Sequence, residues 1–194
     1  MLKRICVFCG SSTGHKAVYT NSARGLGELL GQLKVGLVYG GGKIGLMGVL
    51  ADAALAANGE VIGVIPRGLA RKEVAHEGLS ELRVVGSMHE RKALMAELAD
   101  GFLGLPGGFG TIEEFCEILT WAQLGIHRKP CALLNVDGYF DPLLQLFDRA
   151  VGEGFLRAEN RASVLVGNEP VELIQKMESF RPSMTNLWLE SSES

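Results

Sequence analysis

Residues 101–114 read GFLGLPGGFGTIEE and contain one complete unit of the predicted fold. A short apolar run, Gly101–Leu105, leads into a glycine-rich turn and then into a segment with helical spacing of its apolar residues. Such a strand–turn–helix unit is the building block of an open parallel sheet. Glycine in the turn lets backbone N–H groups approach an anion, and the helix that follows adds free N–H donors.

The same alternation of apolar runs and helical segments continues along the chain. Strands are predicted at Arg4–Phe8, Gly36–Tyr39, Val61–Ile65, Leu82–Val85, Gly101–Leu105, Cys131–Asn135 and Ser163–Val166. Helices are predicted near residues 16–33, 45–58, 88–99, 111–124, 139–153 and 170–179. The strand candidates are almost continuously apolar, which is typical of parallel strands buried on both faces. The pattern predicts one α/β domain over residues 1–180, a doubly wound, mostly parallel, Rossmann-like sheet with helices on both faces, and a flexible tail at residues 181–194.

Composition excludes several classes of protein. The chain has 194 residues, 47% of them hydrophobic, which is enough to build a core. The net charge is −3 and no run of five basic residues occurs, so we expect neither a nucleic-acid nor a membrane partner. The N-terminal apolar segment is too short for a signal peptide and no stretch is long enough for a membrane span, so we expect a cytoplasmic protein.

Cysteine and histidine spacing gives no metal site. Cys6 and Cys9 form a CxxC pattern, but residues three apart on a strand point to opposite faces, so buried core thiols are expected. The four histidines form no HxH or HxxxH pair. We therefore expect no bound metal.

Ten of the 26 glycines lie in residues 40–48 and 101–110, and a third glycine-bearing junction, Cys9–Gly14, follows the first strand. Right-handed crossovers bring the carboxyl ends of parallel strands to one sheet edge, so these turns should meet there. We predict a phosphate-binding surface at this edge. The main candidates are Gly107, Gly108, Gly110 and Thr111. Neither the Walker pattern nor GxGxxG is met, which argues against ATP hydrolysis and classical NAD binding.

Charged residues flank the predicted phosphate surface. Arg91 and Lys92 open the helix after the fourth strand, and arginine offers a planar fork that fits phosphate or carboxylate. Glu113 and Glu114 are expected in the first turn after the glycine loop. From there a carboxylate would reach a sugar attached to the phosphate and stabilise positive charge on it. Only one of the two should face the pocket, and spacing does not say which.

Three motifs together resemble the LONELY GUY family of cytokinin riboside 5′-monophosphate phosphoribohydrolases, often described as possible lysine decarboxylases. They are GGGKIGLMG (40–48), SMHERK (87–92) and PGGFGTIEE (106–114). The resemblance covers about residues 3–180, including TWAQLGIHRKP (120–130) and LLNVDGYFDPLL (133–144). It implies hydrolysis of the N-glycosidic bond of a purine nucleoside 5′-monophosphate to free base and ribose 5-phosphate. It also implies a homodimer, and the apolar helix around Trp121 is a candidate for part of the interface.

The resemblance assigns roles to particular residues. It implies that Arg91 and Glu114 are catalytic and that no cofactor is needed. With Gly107 from the glycine pattern, the implied substrate-binding residues are Glu73, Arg91, Lys92, Gly107, Gly108, Phe109, Gly110, Thr111, Ile112, Glu113, Glu114 and Thr120. Arg71 stands where the family usually has proline before the Lys-Glu pair.

Two other functions fit parts of the sequence. The same loops could hold a nucleotide or a nucleotide-like cofactor without cleaving it. Decarboxylation of an amino acid with pyridoxal phosphate is disfavoured, because the chain is short for that enzyme class and no lysine stands out for the Schiff base. Whether the substrate is AMP or a prenylated AMP depends on an apolar base pocket, for which Met88 and Met95 are candidates.

Overall fold

The computed structural model describes residues 2–70 and 75–182. Its strands are β1 (Arg4–Phe8), β2 (Gly36–Tyr39), β3 (Val61–Pro66), β4 (Glu81–Val85), β5 (Gly101–Gly104), β6 (Cys131–Leu134) and β7 (Val164–Gly167). Its α-helices are α1 (Ala17–Leu33), α2 (Gly45–Ala56), α3 (Arg67–Ala70), α4 (Met88–Leu98), α5 (Phe109–Leu124), α6 (Asp141–Gly152), α7 (Ala158–Ala162) and α8 (Pro170–Ser179). A 3-10 turn covers Val136–Gly138. No helix within the described ranges has the length and apolar character needed to cross a membrane.

The strands form one parallel sheet in the order β4-β3-β2-β1-β5-β6-β7. The prediction of a doubly wound parallel α/β sheet is therefore confirmed, and each predicted strand agrees with the structure to within one residue at either end. Strand β1 pairs with β2 on one side and with β5 on the other, so the chain order reverses between β1 and β5. In open α/β sheets a crevice at such a reversal, beyond the carboxyl ends of the strands, is the usual ligand site.

Two apolar layers cover the two faces of the sheet. Helices α1, α2 and α8 bury residues such as Leu26 and Leu50 on one face, whereas α4 and α5 bury Met95 and Phe115 on the other. Each such fully buried side chain contributes about 2 kcal/mol to folding. Cys6 belongs to the second layer and Cys9 to the first, so the prediction that they point to opposite faces is confirmed.

The structure differs from the sequence prediction at several elements. Helices α3 and α7 and the 3-10 turn were not predicted, because segments of three to five residues are too short to show a helical period. Strand β4 is not buried on both faces as expected. It lies at the edge of the sheet and exposes Leu82 and Val84. Residues 183–194 of the predicted tail lie outside the described part of the chain.

Candidate active site

Three glycine-bearing turns meet at the carboxyl edge of the sheet. The backbone N–H of Gly10, after β1, donates to the carbonyl of Pro106, after β5, over 3.0 Å. The carbonyl of Gly10 in turn accepts from the N–H of Leu46, which follows the turn after β2, also over 3.0 Å. The predicted convergence of these three turns is confirmed, and it occurs at the reversal between β1 and β5.

The start of α5 has no side-chain cap within the described part of the chain. The helix begins at Phe109, and no described side chain binds its first N–H groups. Added Cβ atoms at Gly108 and Gly110 would have no heavy atom of the described residues within 4 Å, and neither residue has a positive φ. Neighbouring atoms in the described part of the chain therefore do not require glycine at these two positions. The backbone of both residues is open on the side where a Cβ would lie.

Side chains around this helix start divide into two groups. Thr111 is buried and packs directly over Gly107. A Cβ added to Gly107 would lie only 2.1 Å from the hydroxyl oxygen of Thr111. Phe109 is 95% exposed, and Ile112 is half-buried with its N–H donating to the carbonyl of Gly108. The helix start thus presents backbone donors beside a large exposed ring.

Arg91 is buried beneath the meeting point of the turns, with 8% of its surface exposed. Its Nε donates to the carbonyl of Val64 over 3.0 Å and its Nη2 to the carbonyl of Gly40 over 3.3 Å. Its Nη1 donates to Glu114 Oε1 over 3.1 Å. A Cβ on Gly40 would lie 2.1 Å from Nη2, so only glycine at position 40 leaves room for the guanidinium in its observed position. These contacts fix the fork of Arg91 without help from a ligand.

Glu114 and Glu113 point to different surroundings. The Glu114 side chain is 12% exposed and pairs with Arg91, whereas the Glu113 side chain is 55% exposed and binds Lys92. Burial raises the pKa of the Glu114 carboxyl, and the charge of Arg91 offsets only part of that effect. The expectation that both glutamates lie in the first turn of the helix is wrong, because α5 begins at Phe109 and they fall in its second turn. The helix dipole therefore gives them little stabilisation.

Lys92 is engaged by carboxylates rather than open to a ligand. Its Nζ lies 2.7 Å from Glu113 Oε1 and 3.0 Å from Glu117 Oε1. Burial lowers the pKa of Lys92, but the two hydrogen bonds outweigh burial and the pKa is raised overall. Together with the Arg91–Glu114 ion pair, the two ion pairs of Lys92 link α4 to α5. Glu117, which the sequence did not single out, has a second carboxylate oxygen that is buried and has no hydrogen-bond partner among residues 2–70 and 75–182.

One predicted contact, Thr120, is not brought to this pair, and another, Glu73, cannot be placed. Thr120 is exposed, lies about 9 Å further along α5 than Glu114, and donates its hydroxyl to the carbonyl of Cys116. Glu73, like Arg71, lies outside the described residues. Of the two methionines considered for a base pocket, Met95 is 1% exposed and belongs to the core. Met88 is 41% exposed, with its sulfur 4.0 Å from Arg91 Nη1.

A cavity of about 280 Å³ opens beside the glycine turns. The residues that line it are Gly10, Ser11, Ser12, Thr13, Gly14, Tyr19, Leu46, Pro106, Gly107, Gly108 and Tyr139. Sequence reasoning singled out the Cys9–Gly14 junction but missed both tyrosines. The position of Tyr139 just after β6, at the same sheet edge, was the available signal. Among the residues that the structure describes, no cluster of His, Cys, Asp and Glu could hold a metal ion.

The fold and the site define a Rossmann-like α/β protein with an uncapped, glycine-rich helix start beside a buried arginine–glutamate pair. A family model described as possible lysine decarboxylase matches residues 47–177. The chain is 51% identical over 180 residues to the rice (Oryza sativa subsp. japonica) cytokinin riboside 5′-monophosphate phosphoribohydrolase LOG, covering 93% of this chain and 74% of that protein. It is 48% identical over 185 residues to LOG7 of Arabidopsis thaliana, covering 95% and 85%. The chain belongs to this family, the LOG family.

Solved structures with the same fold are more distant in sequence. A molybdenum cofactor binding protein from Rippkaea orientalis matches with a TM-score of 0.67 and 22% identity, covering 92% of this chain and 97% of that one. The molybdenum cofactor carrier protein of Chlamydomonas reinhardtii matches with a TM-score of 0.69 and 18% identity, covering 93% and 100%. These likenesses establish the shared α/β fold alone.

Proposed function

We propose that this protein hydrolyses the N-glycosidic bond of purine nucleoside 5′-monophosphates and releases the free base and ribose 5-phosphate. The observation that carries the proposal is the buried pair of Arg91 and Glu114 beside the open start of α5. The pair belongs to a chain that is about half identical in sequence to cytokinin riboside 5′-monophosphate phosphoribohydrolases.

The PGGFGT turn and the first N–H groups of α5 hold the 5′-phosphate. A remote phosphate aids catalysis when its binding places the reacting carbon correctly. In this proposal the substrate-binding residues are Glu73, Arg91, Lys92, Gly107, Gly108, Phe109, Gly110, Thr111, Ile112, Glu113, Glu114 and Thr120. Lys92 and Thr120 need a rearrangement or a second chain to reach the substrate, because both are engaged elsewhere.

Glu114 and Arg91 carry the chemistry. As the bond between the sugar C1′ and the base nitrogen breaks, its electron pair leaves with the base and positive charge develops on the ribose. The Glu114 carboxylate stabilises this charge and orients the water whose oxygen bonds to C1′, while a proton of that water passes to the nitrogen of the departing base. Arg91, fixed by the carbonyls of Val64 and Gly40, holds the ribose phosphate and keeps Glu114 in place.

Base release from two substrates tests the proposal. The protein is incubated with AMP and with isopentenyladenosine 5′-monophosphate, and the products are separated by chromatography. Free base and ribose 5-phosphate in equal amounts are expected. The exposed thioether of Met88 beside Arg91 offers apolar contact to a prenyl group, so we expect the higher kcat/KM for the prenylated nucleotide. Tight nucleotide binding without any release of base would instead identify a binding module.

We also propose a homodimer that buries the outer face of α6. No residue of this amphipathic helix is buried in the single chain, and Leu146 is 60% exposed. Trp121 on the neighbouring helix α5 is half-buried. Light scattering should give twice the chain mass, and Leu146→Glu should halve it. Val171→Glu, which places the same charge on α8 across the sheet, is the matched control and should leave the dimer intact.

A cytoplasmic location stays a prediction from the sequence. The four cysteines are free in the structure, which fits a reducing compartment. The net charge of −3 supports the further prediction that neither nucleic acid nor a membrane surface is a partner.

A further inference from the structure

Tyr139 touches the phosphate turn from a separate part of the chain. Its hydroxyl donates a hydrogen bond of 2.6 Å to the carbonyl of Gly107. The ring of Tyr139 packs edge-on against Tyr19 and against Phe140, with centroids 5.8 and 5.2 Å away, so two neighbours fix its orientation. Because the hydroxyl binds the backbone carbonyl of Gly107, the Tyr139 side chain holds the glycine turn after β5.

An unusual turn between β6 and α6 aims this side chain. Asp137 and Gly138 both have positive φ, at 53° and 67°, a conformation that costs free energy at a non-glycine residue. The buried Asn135 braces the turn, because its side chain accepts from the N–H of Phe140 over 2.8 Å and donates to Asp141 over 2.7 Å. Asn135 therefore holds the turn in this conformation, and with it the position of Tyr139.

The same turn is tied to a second glycine loop. The carboxylate of Asp137 pairs with the ammonium of Lys16, the residue directly before α1. The loop from Gly10 to Lys16 therefore has two anchors near the site, this ion pair and the hydrogen bond from Gly10 to Pro106. Segment 135–139 thus connects the turns after β1 and β5, the two strands between which the sheet order reverses.

The hydrogen bond from Tyr139 also orients the peptide between Gly107 and Gly108. In a trans peptide the carbonyl oxygen and the next N–H point in opposite directions. With the Gly107 carbonyl held by Tyr139, the N–H of Gly108 must point away from Tyr139. A peptide between two glycines meets little steric resistance to rotation, so without this hydrogen bond it can turn over. We propose that Tyr139 is a positioning residue that fixes the Gly107–Gly108 peptide with its N–H presented to the substrate phosphate.

This inference rests on the proposed function, since it assigns the phosphate to the PGGFGT turn. Tyr139→Phe keeps the ring and removes the hydrogen bond. Titration calorimetry is then done with ribose 5-phosphate, which carries the phosphate, and with adenosine, which lacks it. The variant should bind ribose 5-phosphate about three- to tenfold more weakly, the ratio that one neutral hydrogen bond supports, and adenosine as wild type does. The KM for AMP should rise by the same factor with little change in kcat.

Ser163→Ala is the matched control, because Ser163 Oγ donates to the carbonyl of Asn160 over 2.7 Å at a place remote from the turn. It should leave both affinities unchanged. Equal affinity of Tyr139→Phe and wild type for ribose 5-phosphate, or equal weakening of both ligands, would overturn the inference. Failure of the wild-type protein itself to bind ribose 5-phosphate would overturn the phosphate assignment in the proposed function.

Discussion

Replacing Gly40 by alanine tests whether the fixed position of Arg91 matters for catalysis. The new Cβ would lie 2.1 Å from Arg91 Nη2 and 3.2 Å from the sulfur of Met47. Normal contact between such atoms is about 3.5 Å, so the guanidinium must shift by roughly 1 to 1.5 Å. Gly40 has no positive φ, and the backbone itself therefore accepts alanine.

A shift of this size breaks the hydrogen bond to the Gly40 carbonyl and misaligns the bond to Glu114. Misplacement of a catalytic group by about 1 Å costs on the order of 100-fold in rate. The free energy of unfolding should fall by about 1–3 kcal/mol, because a buried charged group loses a partner. The assay is kcat/KM for AMP, measured by release of free base, beside a urea melt that gives the folded fraction.

Gly25→Ala is the control for this experiment. Gly25 lies within α1, and a Cβ there meets no heavy atom within 4 Å. This variant should keep full activity and gain about 0.5–1 kcal/mol in stability, as expected for alanine in a helix. Wild-type kcat/KM in Gly40→Ala would refute the reasoning, as would a loss of activity no larger than the loss of folded protein.

Three further outcomes follow from the charges and the open helix start. Because burial raises the pKa of Glu114, activity that needs its carboxylate should fall with decreasing pH already above about 4.3, the usual value for glutamate. The charge of Glu117 raises the pKa of Glu114, so Glu117→Gln should move the acid limb of the kcat/KM profile to lower pH. The charge of Lys92 lowers the same pKa, so Lys92→Met should move the acid limb to higher pH. Identical pH profiles for the two variants would contradict this prediction. Gly110→Ala should stabilise α5 by about 0.5–1 kcal/mol in a thermal melt and weaken AMP binding at least threefold in a titration, and unchanged affinity would show that no ligand approaches there.

The sequence predicted the main elements of the fold because their signals are local. Apolar runs such as Val61–Ile65 and amphipathic segments such as residues 16–33 determine strand and helix without knowledge of their neighbours. The exposure of β4 was not predictable in this way. A strand becomes an edge strand through the order of the sheet, and that order depends on pairing between distant segments.

For the site, the sequence predicts which residues lie at one edge of the sheet but not how their side chains are oriented. The glycine turns, Arg91 and Glu114 can be placed there because they follow the predicted ends of strands and helices. The spacing could not separate Glu113 from Glu114, because which of two adjacent helical residues pairs with Arg91 depends on how α5 packs against α4. The bond from Tyr139 to Gly107 joins residues 32 positions apart and leaves no local pattern. Contacts of this kind depend on packing between elements, which periodicity does not report.

The most direct test of the central claim is the turnover of AMP by Glu114→Gln at saturating substrate, followed as free base by chromatography, beside its Kd for AMP. The glutamine keeps the shape of the side chain and an oxygen for Arg91, but removes the negative charge that the developing cation needs. We predict turnover lower than wild type by about 10²- to 10⁴-fold, with the Kd for AMP within about threefold. Release of base by Glu114→Gln at the wild-type rate would contradict the account.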